Sequence, residues 1–245
     1  SSDGQEAWGF FPKELASILP LRRRDATSSE HVYGMDLTPV AYTLDANADG
    51  TIKSADGDKV WAFFGMRRGG NSYYALDITS PNTPSFMWRI GQDVSGFSEL
   101  GQTWSEPVVT RISGYRDDEG IPKPVLIFGA GYDTNKDGSG VGTIDSQGRG
   151  IFIVDAQTGA LVWSLTPAAN DAKNMSAPGL LHAVPGDVTV LDSNTDELTD
   201  RIYFGDTGGN VWRIDLPGNA LPSSSQDSWF ITKLGDFNGG LNPTD

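Results

Sequence analysis

One short pattern, used three times, limits what this chain can fold into. An apolar or aromatic run ends in aspartate, a turn follows, and a tryptophan-bearing run comes next. The copies are Ser72–Asp77 before Trp88, Gly150–Asp155 before Trp163, and Asn210–Asp215 before Trp229. The turns between them read Ile78-Thr79-Ser80-Pro81, Ala156-Gln157-Thr158-Gly159 and Leu216-Pro217-Gly218-Asn219. Their Pro, Gly, Asn and Ser supply the backbone angles of a tight reversal. Runs this short, bounded by such residues, are strands.

Two more runs precede each copy, so every unit reads as four strands. The first has Pro39–Leu44, Lys59–Gly65, Ser72–Asp77 and Ser85–Ile90; the second has Glu106–Ile112, Pro124–Gly129, Gly150–Asp155 and Ala160–Leu165. The third has Gly186–Leu191, Asp200–Gly205, Asn210–Asp215 and Trp229–Lys233. Four short strands repeated at long intervals are the mark of propeller blades. One sheet cannot bury both its faces alone; stacked sheets bury each other, and the tryptophans fill the space between.

The predicted fold class is therefore all-β: a β-propeller of four-stranded antiparallel blades at 31–104, 105–166 and 167–234. Glycine at 30 residues, with seven tryptophans, agrees with a fold of many turns and aromatic layers. Before the blades, residues 1–30 read as an edge strand, a short helix and a linker. Glu6–Pro12 is a strand end, Lys13–Leu19 a helix stopped by Pro20, and Leu21–Glu30 a solvated loop carrying Arg22, Arg23 and Arg24. Residues 235–245 read as a tail toward a further blade. Since rings need about four or more blades, this is an incomplete propeller of three to four.

The net charge of −14 argues against nucleic acid and anionic membrane partners and favours divalent cations. No apolar run nears the roughly 20 residues of a membrane span. There is no cysteine, and the two histidines, His31 and His182, have no nucleophile near them in sequence. Neither G-x-S-x-G nor H-E-x-x-H occurs. Both histidines are read as structural. Arg67 and Arg68, on a turn between strands, are expected to pair with carboxylates of a neighbouring blade.

The chemistry concentrates in three acidic loops. In the third unit, Asp192, Asn194 and Asp196 alternate as at the start of a calcium-binding loop, and Asp200 follows. Three carboxylates so close repel each other by on the order of 1–4 kcal/mol per pair, a sign that a divalent ion reverses. The loop departs from the helix-flanked version: Glu197 replaces the sixth-position glycine, and Tyr203 stands at position twelve. In the first unit Asp45, Asn47, Asp49, Thr51 and Asp56 have the expected glycine, Gly50, but Lys53 stands where a ligand belongs. In the second unit Asp133, Asn135, Asp137 and Asp145 fall at the opposite end of the sheet. Without an ion, the third unit's loop reads as an Asx-rich turn, the first unit's as a solvated hairpin loop and the second unit's as a flexible surface loop.

The runs Phe64–Asp77, Leu100–Pro107 and Gly205–Asp215 together resemble the C-terminal propeller domain of the PilY1/PilC type IV pilus-biogenesis proteins. The resemblance implies a modified seven-bladed propeller at the bacterial cell surface or pilus tip, exported through the periplasm and outer membrane. It implies one Ca2+ held by Asp192, Asn194, Asp196, the carbonyl of Leu198, and Asp200. It further implies control of pilus extension and retraction in twitching motility, with support for surface adhesion. Expected partners are minor pilins or other pilus-assembly proteins, with a host surface or surface ligand as a further one. Two rivals stand beside this reading: a pyrroloquinoline-quinone-dependent dehydrogenase propeller, and a metal-free assembly scaffold. The absence of a vicinal cysteine pair counts against the first.

Overall fold

Each predicted unit forms one sheet, its strands hydrogen-bonded in sequence order. The computed structural model describes residues 4–24, 31–138, 143–222 and 229–238. The first blade comprises β1 (Val40–Leu44), β2 (Lys59–Gly65), β3 (Ser72–Asp77) and β4 (Ser85–Gly91). The second comprises β5 (Val108–Arg116), β6 (Pro122–Gly129), β7 (Ile151–Asp155), β8 (Leu161–Thr166) and β9 (Asn174–Ser176). The third comprises β10 (Thr189–Leu191), β11 (Arg201–Gly205), β12 (Asn210–Asp215) and β13 (Phe230–Asp236). All neighbours pair antiparallel except β9, which runs parallel to β8.

Several expectations need correction. Glu6–Pro12 is not a strand; its Trp8 Nε1 donates to the Pro81 carbonyl at 2.9 Å. Lys13–Ile18 is a 3-10 helix that continues into α1 (Leu19–Arg24). Pro20 sits in the first turn of α1, where its missing N–H costs nothing, so it does not stop the helix. Arg22, Arg23 and Arg24 therefore lie on a helix, and the rest of the expected linker, residues 25–30, lies outside the described residues. The stretch Ser113–Lys123, which lies between two predicted strands of the second unit, is largely the hairpin of β5 and β6. Trp229 precedes β13, which reaches Asp236; of the predicted tail, 239–245 lies outside the described residues.

The blades interlock through two hydrophobic clusters. Leu126, Phe128, Phe152 and Val154 of the middle blade pack on Trp61, Phe63, Tyr73 and Trp88 of the first. The alternate residues Val125, Ile127, Ile151 and Ile153 pack on Ile202, Phe204, Trp212 and Ile214 of the third. Side chains alternate faces along a strand, so a sheet covered on both faces is apolar at every position. This explains why Ile151–Val154 is uninterrupted, whereas β12 alternates Val211, Arg213 and Asp215 with buried Trp212 and Ile214.

The tryptophans act where expected. Trp88 Nε1 donates to the Ala156 carbonyl of the next blade at 3.0 Å, and Trp163 meets Trp229 at 4.7 Å between ring centres. Gly159 makes the first contact feasible: a Cβ there would stand 2.8 Å from Trp88 Cδ2. Asp77 and Asp155 cap the turn after their strands, accepting from Thr79 N and from Gln157 N and Thr158 N. Antiparallel order places the β1–β2 and β10–β11 loops at one end of the blades. The β2–β3 and β6–β7 loops and the connections between blades lie at the other. Among the described residues, no helix is long and apolar enough to cross a membrane.

Candidate functional site

The β10–β11 loop is wound by its own acids. Asp192 Oδ1 accepts from Thr195 N at 2.7 Å and more weakly from Asn194 N and Asp196 N; Oδ2 accepts from Glu197 N at 2.8 Å. Asn194 Oδ1 accepts from Asp196 N at 3.0 Å, and Asp196 Oδ1 from Leu198 N at 2.9 Å. Asp200 Oδ2 closes the ring on Ser193 N at 2.8 Å and Ser193 Oγ at 2.7 Å. Thr195 and Glu197 take left-handed angles, φ 64° and 66°. Partial burial pushes the Asp192 carboxyl up, but the amides of Glu197, Thr195, Asp196 and Asn194 outweigh it and hold it below the usual carboxylate range. Asn194 and Asp196 face solvent.

The β1–β2 loop repeats much of this wiring. Asp45 Oδ2 accepts from Gly50 N at 2.7 Å and its Oδ1 from Asp49 N at 3.3 Å. Asn47 Oδ1 accepts from Asp49 N at 3.1 Å, and Asp49 Oδ1 from Thr51 N at 2.7 Å. Ala48 and Gly50 carry the left-handed angles, φ 56° and 76°. The closing carboxylate is Asp58, not the expected Asp56. Asp58 immediately precedes β2, as Asp200 precedes β11, and its Oδ1 accepts from Ala46 N at 2.8 Å. Its Oδ2 accepts from Lys53 N at 2.7 Å, and the amides of Lys53 and Ala46 hold this buried carboxyl below its usual range. Asp56 instead lies 3.6 Å from Lys53 Nζ, and Asp49 lies 3.5 Å from it.

The β6–β7 loop differs. Asp137 forms a two-point pair with Arg68 of the first blade, at 2.9 and 3.0 Å, and accepts from Tyr132 OH. The Arg68 guanidinium holds Asp137 below the usual carboxylate range. Asp133 is buried beneath its loop. Burial pushes its carboxyl up, but Asn135 N, Ser146 N and Oγ, and Gln147 N bring it below the ordinary value. Asp145 is buried too; it accepts from Ala183 N and Thr207 Oγ1 and pairs with Lys136 Nζ at 3.1 Å. Asn135 Nδ2 donates to the Ile144 carbonyl at 3.2 Å. These four side chains are fasteners directed at different partners.

Arg68 thus meets a carboxylate of the neighbouring blade, as expected, but Arg67 does not. His182 lies 3.9 Å from Asp145 and sits under Gly208, where a Cβ would stand 2.1 Å from its ring. His31 packs edge-on against Tyr33. Both histidines have structural settings. Among the described residues, no three His, Cys, Asp or Glu side chains gather as a metal centre by themselves. A cation at the β10–β11 loop would therefore draw on the Asn194 amide oxygen and a main-chain carbonyl beside its carboxylates.

The chain's relatives agree with this architecture. The family model of the PilY1 beta-propeller domain matches residues 21–231. The type IV pilus biogenesis factor PilY1 of Pseudomonas aeruginosa strain PAO1 is 28% identical over 218 residues, covering 88% of this chain. A PilY1 homolog of Xylella fastidiosa is 29% identical over 164 residues, 63% of this chain and 9% of the homolog. The chain spans only 16% of the length of the Pseudomonas factor. The crystal structure of the P. aeruginosa PilY1 C-terminal domain superposes with a TM-score of 0.58 at 22% identity, over 95% of this chain and 41% of that one. Blades, interlocking tryptophans and acidic loops accordingly sit in a chain that belongs to the PilY1 β-propeller domain family.

Proposed function

We infer that this chain is a calcium-binding propeller segment of a type IV pilus-associated protein, and that it works by binding, not catalysis. One observation carries the calcium reading. Among the described residues, no lysine or arginine pairs with Asp192, Asp196 or Asp200, whereas Asp49, Asp56, Asp137 and Asp145 all have cations of the protein beside them. The donors offered are all oxygens: Asp192, Asn194, Asp196, the Leu198 carbonyl and Asp200. That set fits Ca2+, which accepts six to eight oxygens with loose geometry and completes its shell with water. The bound ion supplies positive charge that turns carboxylate repulsion into attraction.

The β1–β2 loop, with Asp45, Asn47, Asp49, Thr51 and Asp58, is a second and weaker site in this reading, since Lys53 already neutralises part of it. The reading does not extend to Asp133, Asn135, Asp137 and Asp145.

By ordering the loop, calcium would set the shape of one end of the blades and so how that end meets minor pilins or other assembly proteins. The relatives' names support a place in type IV pilus biogenesis, and a position at the cell surface or pilus tip is what this reading adds. Control of extension and retraction, and support for adhesion, are the roles this reading assigns. Titrating calcium into chelator-treated protein should release or absorb heat and raise the melting temperature, and Asp196→Ala should abolish both. No heat and no stabilisation in the parent chain would end the calcium reading.

A further inference from the structure

At the end of the blades opposite the proposed cation loops, a cationic and aromatic patch has no role in that reading. The turn joining β2 and β3 carries Arg67 and Arg68. Arg68 is fully engaged: it pairs with Asp137 and lies over Tyr33, Trp104 and Tyr132, at 5.9, 5.7 and 5.9 Å from the ring centres. Arg67 lies over Trp104 at 5.5 Å, yet among the described residues its guanidinium has no hydrogen-bond or ion-pair partner. Its Nε is buried and unsatisfied. A buried guanidinium nitrogen without a carboxylate stands out in a chain with 32 acidic and 18 basic residues.

The backbone explains why Arg67 does not swing away. It holds a left-handed angle, φ 48°, and its N–H donates to the Thr103 carbonyl at 3.1 Å. Two residues on, a Cβ on Gly69 would stand 1.7 Å from the Gly34 carbonyl oxygen, so the turn is seated against the segment that carries Tyr33. An uncommon backbone state, held by its surroundings, presents a charged group without a partner; such strain collects at binding sites.

We propose that Arg67, framed by Arg68, Trp104, Tyr33 and Tyr132, is the anchor of a protein-docking surface that takes a carboxylate side chain from an acidic peptide segment. A guanidinium presents its donors as a fork that matches a carboxylate. Arg, Trp and Tyr are the residues that dominate protein interfaces. A sugar ring fits less well, because Trp104, the ring a pyranose would stack on, is already engaged by both guanidinium groups. The Arg68–Asp137 pair neutralises the second cation and keeps the frame rigid, so Arg67 supplies the unbalanced charge.

The test is fluorescence anisotropy of a fluorescein-labelled, C-terminally amidated hexaglutamate peptide titrated with the full chain at fixed calcium. Binding is expected for hexaglutamate and not for hexaglutamine. Arg67→Gln should weaken it by about tenfold or more, the loss expected for a charge-assisted bond. Arg67→Lys should recover only part of it. Among the described residues the Arg67 guanidinium has no hydrogen-bond or ion-pair partner to lose, only its contact over Trp104, so Arg67→Gln should change the melting temperature little, which separates lost docking from lost fold. Absence of hexaglutamate binding, or equal binding by parent and Arg67→Gln, overturns the proposal. So does tighter binding of a galacturonate hexasaccharide than of the peptide, which would assign the patch to acidic sugars.

Discussion

At the β10–β11 turn, Asp192 directs both oxygens at amides of its own loop, and no cation of the protein reaches Asp196 or Asp200 among the described residues. At the β6–β7 turn, Asp137 holds Arg68 and Asp145 holds Lys136. The two loops share the run Asp-x-Asn-x-Asp. Their difference is set from elsewhere: Arg68 is 69 residues away in sequence from Asp137, and Ala183 is 38 from Asp145. Acid spacing alone states where negative charge gathers. Whether that charge is already balanced decides between a ligand site and a fastener.

The largest effect that can break this comparison is at Asp145. Its side chain is fully buried between Lys136, Ala183 and Thr207, so Asp145→Ala leaves Ala183 N and Thr207 Oγ1 without this acceptor and Lys136 without its carboxylate. The expected cost is about 3 kcal/mol, read as a shift of the urea midpoint with an unchanged slope. Asp192→Asn should do the reverse: a small change in chelator, and loss of the calcium-induced rise in melting temperature. A large calcium response in Asp192→Asn, or a small stability loss in Asp145→Ala, would collapse the distinction.

A middling effect is expected at Asp133. Its folded carboxyl titrates below the ordinary value near 4, so its stabilisation is present above that value and lost as pH falls through the lower folded one. Urea midpoints from pH 7 downward should show Asp133→Asn less stable by about 1–2 kcal/mol at neutral pH, with the gap closing at the acid end. The smallest effect sharpens the comparison between the two loops of like wiring. Asp56→Asn should leave the β1–β2 loop's calcium response intact, while Asp58→Asn should reduce it, as measured by calorimetry. Equal effects would mean that closure of the ring by the residue before the strand is irrelevant.

Much of this was legible in the order of residues. The Asp-turn-Trp units gave three sheets because the physics is local: apolar runs, turn formers and a bulky indole to fill the gap between faces. The strand β12 matches its predicted bounds, Asn210–Asp215. β9 was invisible because Asn174-Met175-Ser176 has no strand signature; it forms when Asn174 Oδ1 accepts from Ser164 Oγ at 2.9 Å and Thr166 Oγ1 at 2.8 Å. α1 was missed because Pro20 reads as a stop unless the preceding helical turn is known to continue. Asp58 was missed because counting along the loop points to Asp56. The hairpin register, Leu44 opposite Lys59 and Leu191 opposite Arg201, fixes the closing residue instead. The unpaired state of Arg67 has no signature in sequence at all, since it depends on what the rest of the molecule fails to bring near it.

The double-sided burial of the middle sheet has a kinetic consequence. Its strands β6 and β7 belong at once to both hydrophobic clusters, so separating either outer sheet leaves them still covered on the other side. Their amide protons should therefore be the last in the chain to trade with deuterated solvent, because release requires both neighbours to come away together.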